Sequence, residues 1–278
     1  MLVPAVATTV VDARSVALWW LGQSGFVLKG HRVTVYLDPY LSTRLERLTA
    51  SSPTARHLRL SPIPVAPEEI KDADYVFCSH DHGDHLDPET VCPIGAASPQ
   101  AKFVVPRAAF SKIVNLGILP ERVIIVDAGE RREFDGIWFV GIPGKHNDFD
   151  RTPEGYYPYL GFVIGLGEVT VYHAGDTVFY DGLASYLREY SIDLALLPIN
   201  GGDPDRVARG FKSNLNYKEA ADLGVAIGAR VIVPMHYGMF AINDERVENF
   251  VAYLTATYPH QKYHLMTLGR RFIYTKDS

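Results

Sequence analysis

The sequence contains little cysteine and no long apolar run, and both absences restrict what the protein can be. Two cysteines, Cys78 and Cys92, stand among 278 residues, which is too few for a disulfide framework and fits a reducing compartment. The longest apolar stretches, such as 16–21 and 231–235, are far shorter than the ~20 residues that a membrane-spanning helix needs. The first residues lack the basic flank and cleavage site of a signal peptide. We therefore expect a cytoplasmic protein without a membrane partner.

An excess of positive charge is also missing. The formal net charge is -5 at pH 7, whereas nucleic-acid-binding proteins usually carry a basic face, so we expect no duplex nucleic acid as a partner. The composition, 47% hydrophobic and 21% charged, is that of a globular protein with a sizeable core. No linker, repeat or low-complexity tract interrupts the chain. Residues 1–278 are therefore expected to form a single domain, and a homo-oligomer stays open.

Short runs rich in β-branched residues recur along the chain, and apolar residues at helical spacing occur between the later runs. We predict strands at 16–21, 26–28, 32–38, 73–79, 102–106, 122–126, 137–142, 159–165, 169–173, 193–199 and 230–236, and helices at 107–116, 183–190, 217–227 and 244–257. This order favours two packed sheets with helices outside. The polar segment 40–67, with four prolines, is expected to be a functional loop or flap without an assigned conformation.

One stretch, Ser-His-Asp-His-Gly-Asp-His-Leu-Asp at 79–87, places three imidazoles and three carboxylates within nine residues. We call it the histidine loop. A solvated turn rarely needs this density of titratable groups. Imidazole and carboxylate are good ligands for Zn²⁺, Mn²⁺ and iron, and a tight turn at a strand end can aim alternate side chains at two neighbouring ions. His80 and His82 are expected to bind one ion, and Asp84 and His85 the other.

The His-x-His-x-Asp-His pattern after a predicted strand resembles the signature of the metallo-β-lactamase superfamily. The resemblance implies an α/β fold, an αββα sandwich of two mixed β-sheets flanked by helices. It also implies three further ligands at strand ends, in the order histidine, bridging aspartate, histidine. His146, Asp176 and His236 occupy those places in the sequence. Singly, His146 could be a loop histidine and Asp176 a turn residue, but together the three favour a metal site.

The expected cofactor is a pair of divalent ions, Zn²⁺ or Mn²⁺, with iron as an alternative. A carboxylate shared by two cations offsets the repulsion between ions held roughly 3.5–4 Å apart, and Asp176 is expected to take this role.

A closer resemblance, over about 16–237, is to the L-ascorbate-6-phosphate lactonase family and its uncharacterised relatives. It is carried by Leu-Trp-Trp-Leu-Gly-Gln-Ser-Gly-Phe-Val-Leu-Lys at 18–29, Tyr-His-Ala-Gly-Asp-Thr at 172–177 and Ala-Arg-Val-Ile-Val-Pro-Met-His-Tyr at 229–237. It implies hydrolysis of a small-molecule lactone or similar ester, phosphorylated or not, by a water that two metal ions activate. A phosphodiesterase of the same fold and a non-catalytic metal-binding scaffold stay open as alternatives.

Three residues are candidates for proton transfer. Asp84 could guide the proton of the attacking water, and His173 or Tyr237 could protonate the leaving oxygen. His173 could instead orient a metal ligand, or be a buried histidine bonded to a backbone carbonyl.

Three cations are candidates for substrate binding. Arg206, Arg209 and Lys212 follow the predicted strand 193–199, so they are expected at the rim of the site, where they could hold an anionic group such as phosphate. Alternatively, they are solvated loop charges. Asn216, with Glu219 three residues later, is typical of a helix cap. The remaining histidines, among them His57, are expected to be surface or packing residues.

Overall fold

The structure, a computed structural model, describes residues 2–277. Its strands are β1 (Ser15–Gly22), β2 (Gly25–Lys29), β3 (Thr34–Leu37), β4 (Tyr75–Phe77), β5 (Lys102–Pro106), β6 (Val123–Val126), β7 (Arg131–Phe134), β8 (Ile137–Pro143), β9 (Leu160–Leu166), β10 (Val169–His173), β11 (Leu194–Pro198), β12 (Val231–Met235), β13 (Lys262–Tyr263) and β14 (Arg271–Thr275). Its helices are α1 (Leu2–Thr8), α2 (Arg44–Leu48), α3 (Pro88–Ala97), α4 (Phe110–Asn115), α5 (Leu183–Arg188), α6 (Pro204–Ala208), α7 (Tyr217–Ala226) and α8 (Val247–Thr257).

The strands form two seven-stranded sheets, in the orders β14-β1-β2-β3-β4-β5-β6 and β13-β12-β11-β10-β9-β8-β7. In the first sheet β14 to β3 pair antiparallel and β3 to β6 pair parallel. In the second sheet β13 to β10 pair parallel and β10 to β7 pair antiparallel. The expected sandwich of two mixed sheets flanked by helices is therefore confirmed.

The main core lies where the two sheets meet, and aromatic rings join them there. Phe77 of the first sheet packs against Phe139 and Phe162 of the second, at ring-centroid distances of 5.0 and 5.1 Å. All three rings are buried. Each such ring removes a large apolar area from water, so this contact is a principal link between the sheets.

Every predicted strand is confirmed, with ends that move by at most two residues. The predicted helix 107–116 begins as a 3₁₀ turn before α4, and the other three predicted helices are α5, α7 and α8. The expected cap of α7 is confirmed, since Asn216 Oδ1 accepts hydrogen bonds from the Lys218 and Glu219 backbone N–H groups. Helix α3 was missed because Pro93 and Gly95 interrupt its pattern, although Asp87 caps it.

The segment 40–67 is a flap that contains α2 and lies beside the second sheet's end. A backbone bridge joins Arg59 to Phe240, and the Leu60 N–H donates to the Met239 carbonyl at 2.7 Å. Within residues 2–277, no helix is both long and apolar enough to cross a membrane.

Strands β10, β11 and β12 run parallel, so their carboxyl ends meet at one edge of the second sheet. In open α/β sheets, ligands bind beyond such carboxyl ends, because helix and loop termini converge there. Asp176, Asn200 and His236 follow these three strands and lie at that edge.

Candidate metal centre

The histidine loop leaves β4 and closes a tight turn. The backbone N–H groups of His85 and Leu86 both donate to the His82 carbonyl, at 3.1 and 2.8 Å. His80 and His85 are buried, and Gly83 faces the flap, where an added Cβ would come within 2.9 Å of Leu45. This close contact places the Leu45 side chain of the flap against the histidine loop.

The second sheet supplies three more metal-binding candidates at strand ends. His146 follows β8, and its Nδ1 donates to the Ser213 carbonyl at 2.9 Å, so its Nε2 is left as the free nitrogen. Asp176 follows β10, and His236 follows β12. The Asp176 Oδ2 atom lies 3.7 Å from the Nε2 of His146 and 3.4 Å from that of His236. Ring nitrogens therefore converge on this carboxylate.

The seven candidate ligands fall into overlapping groups whose donor atoms lie within 4.8 Å of one another. We call His80, His82 and His146 the first metal group, and Asp84, His85 and His236 the second metal group. Asp176 joins His80 and His85 in a further group, with its Oδ1 3.5 Å from the His85 Nε2. The structure thus brings all seven together, with Asp176 between the two metal groups.

Hydrogen bonding in this cluster is incomplete in a way that fits cations. Among the described residues, the Nε2 atoms of His80 and His85 and the Oδ1 of Asp176 are buried without a hydrogen-bond partner. An unsatisfied buried polar group costs about 1–3 kcal/mol, so several at one place indicate a missing partner. Imidazole nitrogen and carboxylate oxygen are the donor types that divalent transition metals accept.

The electrostatics favour the ligating protonation states of His80, His146 and Asp176. At His85 burial acts to lower the pKa, but the carboxylates of Asp176 and Asp38 outweigh it and raise that pKa. Burial lowers the pKa of His80 well below its ordinary value and lowers that of His146 to about 4, so both imidazoles are neutral near pH 7. Burial acts to raise the pKa of Asp176, but attraction to the imidazoles of His236 and His85 outweighs it and lowers that pKa. A neutral imidazole and an ionised carboxylate are the forms that bind a metal.

Asp38 supports this cluster although nothing in the sequence analysis identified it. It follows β3 and is buried. Its Oδ2 accepts a 2.7 Å hydrogen bond from the His85 Nδ1 and a 2.6 Å bond from the Ser79 hydroxyl. The only available signal was its place at a strand end.

Two expected catalytic residues, His173 and Tyr237, are absent from the walls of the cavity that opens onto the metal groups. His173 is buried, with its Nε2 2.8 Å from the Ser24 carbonyl and its Nδ1 3.3 Å from the Gly175 backbone nitrogen. Tyr237 packs on Trp20 at a ring-centroid distance of 4.9 Å, and burial raises its pKa to about 12. The contacts of these residues do not support the expected proton-donor role, and for His173 they agree with the alternative of a buried histidine bonded to a backbone carbonyl. His173 is occupied by backbone groups and Tyr237 packs against the core. Asp84, the third candidate, belongs to the second metal group.

A cavity of about 320 Å³ opens onto the metal groups. Its walls include Asp84, His146, Asp176 and His236 together with Lys212 and the flap residue His57. The expectation that His57 is a surface or packing residue agrees with its ring contacts, and the same residue also lines the cavity. Its packing on Phe240, at 5.1 Å between ring centroids, places it at the cavity wall.

The three candidate cations differ in whether they line this cavity. Arg206 pairs with Asp203, which caps α6, and Arg209 lies 3.2 Å from Asp205, and neither lines the cavity. The walls of the cavity therefore give no support to the expected substrate-binding role of Arg206 and Arg209.

Lys212 does line the cavity. Its Nζ donates to Asp150 at 2.6 Å and to the Tyr159 hydroxyl at 2.8 Å. The Tyr159 ring packs against all three histidines of the first metal group, at centroid distances of 5.1–5.5 Å. Lys212 is therefore held beside that group.

Comparison with known proteins agrees with this geometry. The sequence profile described as "Beta-lactamase superfamily domain" matches residues 33–237. A metal-dependent hydrolase from Pyrococcus horikoshii is 29% identical, over 78% of this chain and 83% of its own. A probable L-ascorbate-6-phosphate lactonase from Escherichia coli is 23% identical, over 81% of this chain and 70% of its own. Among solved structures, a metallo hydrolase from Ignicoccus hospitalis has the same fold, with a TM-score of 0.69, 21% identity and coverage of 95% and 100%.

Proposed function

Since the chain belongs to the metallo-β-lactamase superfamily and is a metal-dependent hydrolase of it, we propose that it hydrolyses a small lactone or similar ester that carries an anionic group. One observation carries this proposal. The convergent metal groups and Lys212 line the same cavity, which is of a size for a small molecule. The likeness to the probable lactonase supports the choice of ester.

Each group of residues has a separate task in the proposed reaction. The first metal group would hold one ion and the second metal group the other, with Asp176 placed between the two groups. When bound, two divalent ions supply an activated water and polarise the carbonyl or phosphoryl oxygen of the substrate. Asp84, which lines the cavity, would accept the proton of the attacking water at a carboxylate oxygen and pass it to the leaving oxygen of the ester.

Lys212 is proposed to bind the anionic group of the substrate. An unbalanced ammonium beside two cations would be repelled, and Asp150 offsets that repulsion by pairing with it at 2.6 Å. Tyr159 fixes the direction of the ammonium through its 2.8 Å contact. A charge held in this way at a cavity wall is suited to carboxylate or phosphate.

The test is a substrate panel on protein stripped of metal and reloaded with Zn²⁺ or Mn²⁺. It contains a phosphorylated lactone, its neutral counterpart and a chromogenic phosphodiester. We expect lactone hydrolysis that disappears on chelation and returns on reloading, with the phosphorylated lactone preferred. Turnover of the phosphodiester alone would instead assign a phosphodiesterase. Stoichiometrically metallated protein that hydrolyses none of the three would indicate a binding scaffold.

A further inference from the structure

Gln23 lies at the turn between β1 and β2, in a conformation that few side chains adopt. Its φ is 51°, and that of His236 is 62°. Both values are in the left-handed region, which non-glycine residues other than Asn, Asp and His rarely enter, so the conformation is unusual chiefly for Gln23. The two residues hold each other there, because the His236 N–H donates to the Gln23 carbonyl at 3.0 Å. Trp20 Nε1 donates to the same carbonyl, also at 3.0 Å. Backbone strain maintained in this way often marks a functional site.

The side chain of Gln23 is buried, and its amide reaches into the second metal group. The amide Nε2 lies 3.1 Å from the Asp84 Oδ2 and 3.1 Å from the His236 Nε2. The Asp84 Oδ2 and the His236 Nε2 are also the atoms whose lone pairs would coordinate a metal ion in the second metal group. The amide nitrogen, with two hydrogens, thus lies against the atoms that bind a cation.

A side-chain amide carries its nitrogen and its oxygen on the same carbon, so a half-turn of the terminal amide exchanges the two. No backbone movement is needed for that exchange. The oxygen then takes the place of the nitrogen beside Asp84 and His236. An amide oxygen is a neutral, hard donor that suits ions such as Mn²⁺ and Mg²⁺.

We propose that Gln23 is a further ligand of the ion in the second metal group, through its side-chain oxygen. This inference rests on the two-ion centre of the proposed function. With Gln23, the second metal group offers an amide oxygen and a carboxylate, whereas the first metal group offers three imidazoles. The two positions therefore differ in chemistry, and the second favours the harder ion.

An alternative role uses the same contacts. If Gln23 only donates hydrogen bonds, it orients Asp84 and never touches the ion. A glutamate at this position separates the two roles. Gln23→Glu keeps the oxygen and adds charge, which strengthens ion binding by a ligand. The substitution also removes the hydrogens that the amide donates and places a second negative charge beside the Asp84 carboxylate. If the role of Gln23 is to donate a hydrogen bond to Asp84, Gln23→Glu should therefore weaken metal binding.

The experiment is calorimetric titration of the metal-free protein with MnCl₂ and ZnCl₂, with no substrate present. Wild type is expected to bind two ions. Gln23→Leu should weaken one of them by about 10-fold or more, the scale on which support of a metal site changes affinity. Gln23→Glu should bind that ion more tightly than wild type, and the change should be larger for Mn²⁺. Gln100→Leu, the same substitution at a surface glutamine that bonds Ala73, is the matched control and should match wild type.

Gln23→Asn distinguishes the effect of side-chain length from the effect of the positive φ at position 23. Asparagine tolerates a positive φ better than glutamine, but its side chain is one methylene shorter. It should therefore fold as wild type by circular dichroism and still lose affinity for the one ion.

If Gln23→Glu weakens binding of that ion as much as Gln23→Leu does, the ligand role is wrong and donation to Asp84 is correct. Unchanged affinities in every variant would remove Gln23 from the site. A wild type that binds fewer than two ions would overturn the two-ion centre itself, and with it this inference.

Discussion

Asp38 accepts a 2.7 Å hydrogen bond from the Nδ1 of His85, and this bond directs the opposite ring nitrogen toward the metal-binding cluster. The His85 Nε2 then lies 3.5 Å from the Asp176 Oδ1. Such a bond fixes both the tautomer and the ring orientation of a metal-binding histidine, and it raises the basicity of the ligating nitrogen. Asp38 is therefore a residue that positions the ligand His85 and is not itself one of the candidate metal ligands.

Replacing Asp38 tests this relationship. Asp38→Ala should weaken metal binding at the second metal group by about 10- to 100-fold, the usual cost of losing a carboxylate behind a ligating histidine. Affinity is measured by titrating metal-free protein with Zn²⁺. Asp135→Ala, at an exposed aspartate that pairs with Arg32, serves as the control and should change nothing. Equal affinities for wild type and Asp38→Ala would mean that His85 is oriented by its packing alone.

Sequence patterns predicted the layers of the fold well, because the strands are runs of apolar residues that are buried along most of their length. Strand β9, Leu160–Leu166, is buried throughout, and such continuous runs are conspicuous in a sequence. The strands that were missed are the exposed edge ones. β7 and β14 are half-exposed or exposed along their length, so their composition resembles that of a loop. α3 was hidden by its internal Pro93.

The ligand candidates were recognisable because their residue types and order are unusual, but the contacts around them were not. Lys212 pairs with Asp150 and Arg206 pairs with Asp203, so charge pairing does not decide which of the two cations lines the cavity. The positions of α6 and of the segment after it in the fold decide that. Asp38 precedes His85 by 47 residues, and Gln23 precedes Asp84 by 61 and His236 by 213. Only the folded sheets bring them to these partners, and the local signals were limited to the strand-end position of Asp38 and the motif at 18–29 that contains Gln23.

Asp176 lies between the two metal groups, and its substitution should affect metal binding far more than folding. In Asp176→Asn the amide has no net charge to offset the repulsion between two cations, so binding of the second ion should weaken by at least about 100-fold, beyond the usual cost of losing an indirect contact. Metal content and circular dichroism are measured on the same sample. Asp181→Asn, at an exposed aspartate, is the control. Retention of both ions and of activity would exclude Asp176 from the centre.

Phe162 packs across the sandwich against Phe77, so it is suited to test how the two sheets are held together. Phe162→Ala should lower the free energy of unfolding by about 3–5 kcal/mol, the cost of removing a large buried ring and leaving a cavity. Phe179→Ala, at a phenylalanine that is 44% exposed, should change it by less than about 0.5 kcal/mol. Both are measured by urea denaturation. Similar losses for the two variants would contradict the proposed role of this aromatic contact.

The lowered pKa of His146 predicts how the metal-free protein responds to acid. Burial lowers that pKa to about 4 from the ordinary 6.5, so the unfolded chain takes up a proton that the folded chain resists. The free energy of unfolding should therefore fall as the pH drops from about 6.5 to about 4, by up to about 3 kcal/mol from this residue. His146→Asn should flatten the profile, and His260→Asn, at an exposed histidine, should not. Denaturation in the presence of a chelator at several pH values measures this. Parallel profiles for wild type and His146→Asn would show that His146 is not the group responsible.

Lys212 alone among the three candidate cations lines the cavity, and its charge should decide which substrates bind well. Lys212→Ala should raise KM for an anionic lactone by about 10-fold or more, since a hydrogen bond to a charged group contributes about 1.5–3 kcal/mol. KM for a neutral lactone should stay the same, because that substrate has no group for the ammonium to hold. Lys212→Arg keeps the charge and should recover part of the loss. Arg209→Ala is the matched control, because Arg209 pairs with Asp205 outside the cavity, and it should leave both KM values unchanged. If Lys212→Ala raised KM equally for the two lactones, the lysine would act on the shape of the cavity through Tyr159 rather than on substrate charge.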